Sequence, residues 1–274
     1  MVENFKYGYI PSIYMKTEQL VYHEQIMRKV AGFGNGAHVF APKEWMNEQV
    51  LVIRLEKKSI KEQVLESLYN NLDKVVAVFI YGSYARDEAS ENSDIDILVI
   101  AKEKFKIEKR ENFEFIVLSG DRLESAIKSN PILMHSIFKE GKAIINEDYI
   151  KKYQNIKLKK SDFLSFIAST KESVVSSEKL LELDKETGKT ASNGLIYSLM
   201  LRLRGIFIMK CLLNGKDFSN KNFEKWMKGH IANYSEVYEV YQAIRDDKNL
   251  IKDKISLDSG IALMSLLKSE VKGL

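Results

Sequence analysis

The spacing of apolar positions along this chain changes character from one region to the next, and each change predicts a different kind of element. Between Ile26 and Leu55 apolar residues come in short runs separated by turn residues. Gly32-Phe33-Gly34-Asn35-Gly36 reads as a turn, because glycine and asparagine tolerate positive φ. Ala37–Ala41 can extend after it, Pro42 opens a short Lys43-Glu44-Trp45-Met46 turn, and Val50-Leu51-Val52-Ile53 predicts a strand. Ser59 and Glu62 form a capping-box pattern. Ile60, Val64, Leu65, Leu68 and Leu72 then repeat at helical spacing. Val75–Tyr81 is continuously apolar, which suits a central strand buried on both faces. Asp94–Ile100 and Asn112–Leu118 predict two further strands. Asp121 with Glu124 starts a helix that runs to Ser129, Pro131 opens another that ends at Gly141, and Ala143-Ile144-Ile145 predicts a last strand.

After Lys157 the period is helical throughout: 161–186, 190–213, 219–228, 234–246 and 256–271, with Asn214-Gly215 and Gly229 as stop signals. The pattern predicts a small β-rich segment over 1–58, an α+β core over 59–156 and a helical bundle over 157–274. Within 1–25, Tyr7, Tyr9, Ile10, Ile13, Tyr14 and Leu20 scatter around Pro11 without a period, and docking on the rest or a mobile tail both remain open. Internal repeats, low-complexity tracts and long linkers are absent from the sequence.

Composition narrows the class only a little. The 274 residues allow one large domain or roughly two to three small ones. With 45% hydrophobic and 29% charged residues the chain is not of the disordered type. A formal net charge of +4 is too mild to point to a polyanionic partner by itself. Cys211 is the only cysteine, so an internal disulfide is impossible and a reducing, cytoplasmic setting is expected. It lies in the apolar run Ile206–Leu213 and reads as a small core residue rather than a nucleophile. No run reaches the ~20 apolar residues of a membrane span, and the N-terminus lacks a signal-peptide pattern, so no membrane partner is expected. His23, His38, His135 and His230 show no metal-ligand spacing.

Candidate chemistry is concentrated in Phe79-Ile80-Tyr81-Gly82-Ser83-Tyr84-Ala85-Arg86 and Ser93-Asp94-Ile95-Asp96-Ile97-Leu98-Val99. A buried strand ends at Gly82-Ser83, where a helix can begin. Glycine allows close approach of backbone and ligand, free N–H groups favour phosphate, and the serine hydroxyl adds a donor. Arg86 could meet the negative charge of a triphosphate. Asp94 and Asp96 are two apart in a strand, so both carboxylates project from one face. Such neighbours resist joint ionisation, and a divalent cation relieves the repulsion; oxygen ligands of this kind suit magnesium. Glu114, a lone charge within Phe113-Glu114-Phe115-Ile116-Val117, is the candidate third acid if its strand pairs with Asp94–Ile100. Alone, an Asp-x-Asp is commonly a solvated strand edge and a Gly-Ser a turn; their order and spacing together carry the functional reading.

In that order and spacing the stretch resembles the DNA-polymerase-beta-like nucleotidyltransferases, and among them the minimal nucleotidyltransferases of archaea and bacteria. Their pattern is Gly-Ser, ten residues, then Asp-x-Asp, as in Gly82-Ser83 through Asp94-x-Asp96; Ala85-Arg86 and Ser93 also match. The resemblance covers residues 60–147. It implies a mixed sheet flanked by helices, Gly82, Ser83, Arg86 and Ser93 around a nucleoside triphosphate, and Asp94, Asp96 and Glu114 as catalytic metal ligands for Mg2+. ATP is the expected donor, and the acceptor is a protein, an RNA or a small hydroxyl compound. Glu114 matches less specifically, and Asp87 stands where glycine is common.

The flanks carry further resemblances. Gly34-Asn35-Gly36, Val39, Pro42-Lys43-Glu44-Trp45 and Val50–Leu55 are similar to half of an AbrB-like swapped-hairpin unit and to small transposon-associated proteins. This implies a homodimer with Arg28, Lys29 and Lys43 as phosphate contacts on DNA; a β appendage packed on the core is the alternative. The C-terminal helices resemble HEPN-like partners of minimal nucleotidyltransferases. Arg202 and Arg204 lack the histidine that the ribonuclease members of that group place nearby, so RNA cleavage is not expected. Arg202, Arg204 and Lys210 could line the acceptor side of the cleft or form a solvated face. The competing reading of the whole is a dimeric DNA-binding or antitoxin-like regulator with a non-catalytic nucleotidyltransferase fold.

Overall fold

The computed structural model describes residues 24–54, 58–90, 93–188, 190–246 and 255–274. The expectations for Tyr7, Tyr9, Ile10, Ile13, Tyr14, Leu20, His23 and Leu55 fall outside these residues. The chain divides into two compact units, Met1–Lys57 and Lys58–Leu274.

In the first unit β1 (Ala31–Phe33) and β2 (Gly36–His38) form a hairpin, with Ala31 opposite His38. Gly34 takes φ +54° at its tip, a conformation open to glycine at little cost. A single 3-10 turn covers Lys43–Trp45, and the Trp45 indole donates to Glu24 Oε2 at 3.3 Å. The strand expected at Val50–Ile53 is not formed. The segment lies outside any ladder, and its four side chains are 54–71% exposed. β-branched propensity describes a fit to a pleated, paired surface, and without a neighbour to receive its N–H and C=O groups the run gains nothing from being a strand.

The second unit starts with α1 (Ile60–Leu68). Its capping box is present: Ser59 N–H donates to Glu62 Oε2 at 2.7 Å and Glu62 N–H to Ser59 Oγ at 3.2 Å. The helix buries Val64 and Leu68 and gives way to a 3-10 segment from Tyr69, so Leu72 lies beyond it. Next come β3 (Val75–Tyr81), the short α2 (Gly82–Ala85), β4 (Ile95–Ala101), β5 (Phe113–Ser119), α3 (Leu123–Ser129), α4 (Pro131–Glu140) and β6 (Lys142–Ile145). The sheet order is β5-β4-β3-β6; β4 and β5 are parallel and the other pairs antiparallel.

The strand period of two explains why β3 is apolar at every position. Ala77, Phe79 and Tyr81 join Leu98 and Ile100 under α3, α4 and the next helix, α5 (Glu147–Gln154). Val78 faces the other way, onto Val64 and Leu68 of α1 with Ile95, Ile97 and Val99. The sheet is therefore covered on both faces.

The rest of the unit is helical: α6 (Leu164–Thr187), α7 (Asn193–Leu213), α8 (Asn220–Lys228), α9 (Tyr234–Arg245) and α10 (Leu257–Lys272). Its core is built around α7, where Leu195, Leu199, Leu203, Ile206 and Met209 are fully buried. A side chain at Gly205 would meet the Phe166 ring at 2.6 Å, so this glycine is where α6 and α7 approach closely. A two-residue ladder, β7 (Thr190–Ala191) with β8 (Ile255–Ser256), sits where α6 turns into α7. Helix α4 packs on the sheet and also against α6 and α7, so sheet and helices form one body. Cys211 lies in the last turn of α7, half-buried, and burial pushes its thiol up. Among the described residues no helix is long and apolar enough to cross a membrane.

Candidate active site

The site lies at the end of β3, where the backbone leaves the sheet for α2. Gly82 takes φ +72°, and a Cβ there would stand 2.3 Å from Asp96 Oδ2. Only glycine fits on both counts: the conformation is left-handed, and the space belongs to the aspartate. The contact follows from register, since Tyr81 is the cross-strand partner of Asp96.

On the other side of β4, Asp96 pairs with Glu114 of β5. Asp96 is in phase with Leu98 and Ile100, and Glu114 with Ile116 and Leu118, so the two carboxylates stand side by side on the face of the sheet that α3 and α4 cover. Asp94 lies just before β4 and is exposed, as is Glu114 on its edge strand. The burial that motivated Glu114 as a ligand is therefore not found; its position beside Asp96 is what brings it into the site. Asp96 is recessed. Burial first, then the charges of Glu114 and Asp94, push its carboxyl up from 3.8 to about 6, against the opposing pull of Arg86. Burial and the charges of Asp96, Glu114 and Glu140 likewise push the Tyr81 phenol up, so it stays protonated.

Arg86 points away from open solvent. Its Nη1 donates to both oxygens of Glu140 at 2.8 Å, and its Nε donates to Glu88 Oε2 at 2.9 Å. Its guanidinium lies 5.1 Å from the centre of the Phe218 ring, and Arg204 lies 5.2 Å from the same ring. Ser83 is half-buried in the first turn of α2. Ser93, next to Asp94 in the chain, accepts from Ser90 N–H at 2.9 Å through its hydroxyl. Asp87 has φ +58°, which explains why glycine suits that position, and it accepts from Lys142 Nζ at 2.8 Å.

Glu140, Glu88 and Tyr81 also belong to this neighbourhood, and no sequence motif marks them. Tyr81 is visible only as an apolar strand residue, and the two glutamates resemble any others on a helix end or loop.

The donor set is chemically suited to a hard divalent cation: it is all carboxylate oxygen, with the carboxyl of Asp96 pushed up by burial and by its acidic neighbours. The trio is not preassembled, for among the described residues no three His, Cys, Asp or Glu side chains already converge to hold an ion. Exposure of Asp94 and Glu114 leaves both free to swing. Away from this site Arg202 donates to Ser169 Oγ at 3.0 Å and Lys210 pairs with Glu270.

Residues 62–150 match the family described as polymerase beta, nucleotidyltransferase. A putative protein adenylyltransferase of Methanocaldococcus jannaschii is 33% identical over 91 residues, covering 31% of this chain and 84% of that protein. Among solved structures, spectinomycin adenyltransferase AAD(9) from Enterococcus faecialis, with ATP and spectinomycin, aligns at a TM-score of 0.43. The identity is 15%, over 77% of this chain and 97% of that one. A nucleotidyltransferase-like protein from Exiguobacterium sibiricum aligns at 0.35 with 12% identity, over 78% and 75%.

Proposed function

This chain belongs to the polymerase-beta type nucleotidyltransferases, and on that premise we propose that it transfers AMP from ATP to an acceptor hydroxyl, with Asp94, Asp96 and Glu114 holding Mg2+. The observation that carries the reading is the crowding of Asp96: a half-buried carboxylate beside Glu114 and Asp94, pressed against the Gly82 turn, is costly unless a cation shares it. The adenylyl donor is supported by the named activity of the archaeal relative.

When bound, the ion would offset the charge of the triphosphate and lower the pKa of the acceptor hydroxyl. Ser83 offers a hydroxyl and the turn from Gly82 offers backbone to the phosphates. Ser93, next to Asp94 in the chain, is held by its bond with Ser90. Arg86, paired with Glu140 and Glu88, braces the turn from behind. The acceptor oxygen attacks the α-phosphorus, the bond from that phosphorus to the bridging oxygen breaks, and pyrophosphate leaves. The acceptor proton passes to the carboxylate of Glu114, the acid at the open edge of the sheet. The helical region, read as HEPN-like without ribonuclease chemistry, supplies the acceptor side.

Incubation of labelled ATP and Mg2+ with protein, RNA and aminoglycoside acceptors tests this. Wild type is expected to label one class, and Asp94→Asn/Asp96→Asn none; equal labelling by both proteins rejects the assignment.

One observation favours an added role for the first unit. No residue of 24–54 is buried, and Met27, Val30, Phe33 and Val50–Ile53 are all exposed. Such a surface suits closure against a second copy, with Arg28, Lys29 and Lys43 offered to DNA. Val52→Asp is expected to turn a dimer into a monomer by light scattering, and Arg28→Ala/Lys29→Ala to weaken a gel shift. A wild-type monomer that shifts no DNA removes this role and leaves the transferase untouched.

A further inference from the structure

Glu140 ends α4, where a carboxylate works against the helix dipole. Its surroundings compensate. Gly82 N–H donates to Glu140 Oε1 at 3.0 Å, and Arg86 Nη1 donates to both carboxylate oxygens at 2.8 Å. The pair is well shielded, with 11% of the Arg86 side chain and 13% of the Glu140 side chain exposed. Arg86 in turn holds Glu88, and Glu88 accepts from Asn220 at the start of α8, from N–H at 2.9 Å and from Nδ2 at 3.0 Å. A continuous set of charge-assisted bonds thus runs from the Gly82 peptide to the helical region.

The Gly82 peptide is where orientation matters most. Its φ of +72° and its contact with Asp96 leave no slack, so a rotation of this peptide moves the turn relative to the carboxylates. We infer that Glu140 is a positioning residue: by holding Gly82 N–H and Arg86 together it fixes the turn in the orientation that receives the triphosphate, and through Glu88 and Asn220 it makes the seating of α8 part of that geometry. Glu140 acts behind the turn and does not touch the nucleotide. This inference rests on the nucleotidyl-transfer reading above.

The test compares wild type, Glu140→Ala and Glu140→Gln in ATP and Mg2+ titrations of transfer, with thermal unfolding alongside. Alanine removes the bonds to Gly82 N–H and to Arg86 and is expected to raise the KM for ATP about tenfold, with kcat changed much less. Glutamine keeps an oxygen for Gly82 N–H and is expected to recover part of that loss, with a KM still about threefold above wild type. A KM equal to wild type in folded Glu140→Gln overturns the inference even if the alanine variant fails to fold. A KM below wild type in either variant also overturns it, because Glu140 would then occupy the place of a phosphate. Wild type that neither binds ATP nor transfers from it defeats the function reading instead, a result distinguishable from both.

Discussion

Two apolar runs, Val75–Tyr81 and Val50–Ile53, both predict strands, and only the first becomes one. The first is paired on both edges by β4 and β6 and covered on both faces. The second has neither ladder nor cover. Their residue types are nearly interchangeable, so the difference lies in partners: a strand is a property of a sheet, and the Gly82 turn leaves a strand that β6 pairs as far as Ile80 and β4 as far as Tyr81.

Substitution in the two runs should separate them widely. Phe79→Ala, at a fully buried position, is expected to cost about 3–5 kcal/mol in denaturant unfolding. Val52→Ala is expected to cost less than about 0.5 kcal/mol under the same conditions. Equal losses would mean that the exposed run packs as a core. Next in size is Arg86→Ala, which leaves Glu140 and Glu88 shielded from solvent without their cation. A loss of about 3 kcal/mol is expected in the same assay. Gly82→Ala should follow at about 1–3 kcal/mol, from left-handed strain and collision with Asp96. Its transfer activity should fall further than its stability implies, since the turn itself moves.

One effect has the opposite sign. Asp96 is an acid whose folded pKa is raised from 3.8 to about 6, so the folded state holds its proton more tightly than the unfolded chain does. Its contribution to stability is present below 3.8 and is lost as pH rises to about 6. Asp96→Asn should therefore stabilise the cation-free protein by about 1 kcal/mol at pH 7, allowing for partial solvent exposure, and flatten the pH dependence of its unfolding between 4 and 6. A destabilised Asn variant would show that the carboxylate is satisfied by the protein alone.

Much of the fold can be read from local pattern. The capping box at Ser59, the proline opening α4 and the long helical periods after Lys157 each specify an element within a few residues. Helix α5 escapes because its apolar side is only Tyr149, Ile150 and Tyr153, and its N-cap Asn146 is left-handed without a capping bond. The β7–β8 ladder joins two-residue pieces far apart in sequence, which no local window contains. At the site, the Gly-Ser and Asp-x-Asp spacing is visible, while the meeting of Asp96 with Glu114 depends on the parallel register of β4 and β5. Glu140 meets the Gly82 turn through a bond spanning 58 residues, and Glu88, held by Arg86 two residues away, reaches α8 through one spanning 132.

The most direct measurement is calorimetric titration of ATP with Mg2+ into wild type and into Asp96→Asn at pH 7.5. Cation-dependent binding by wild type, lost when Mg2+ is withheld and lost in the Asn variant, is the expected result. Equal binding by both proteins, with or without the cation, would contradict the assignment of the carboxylates beside Gly82 to a metal and its nucleotide.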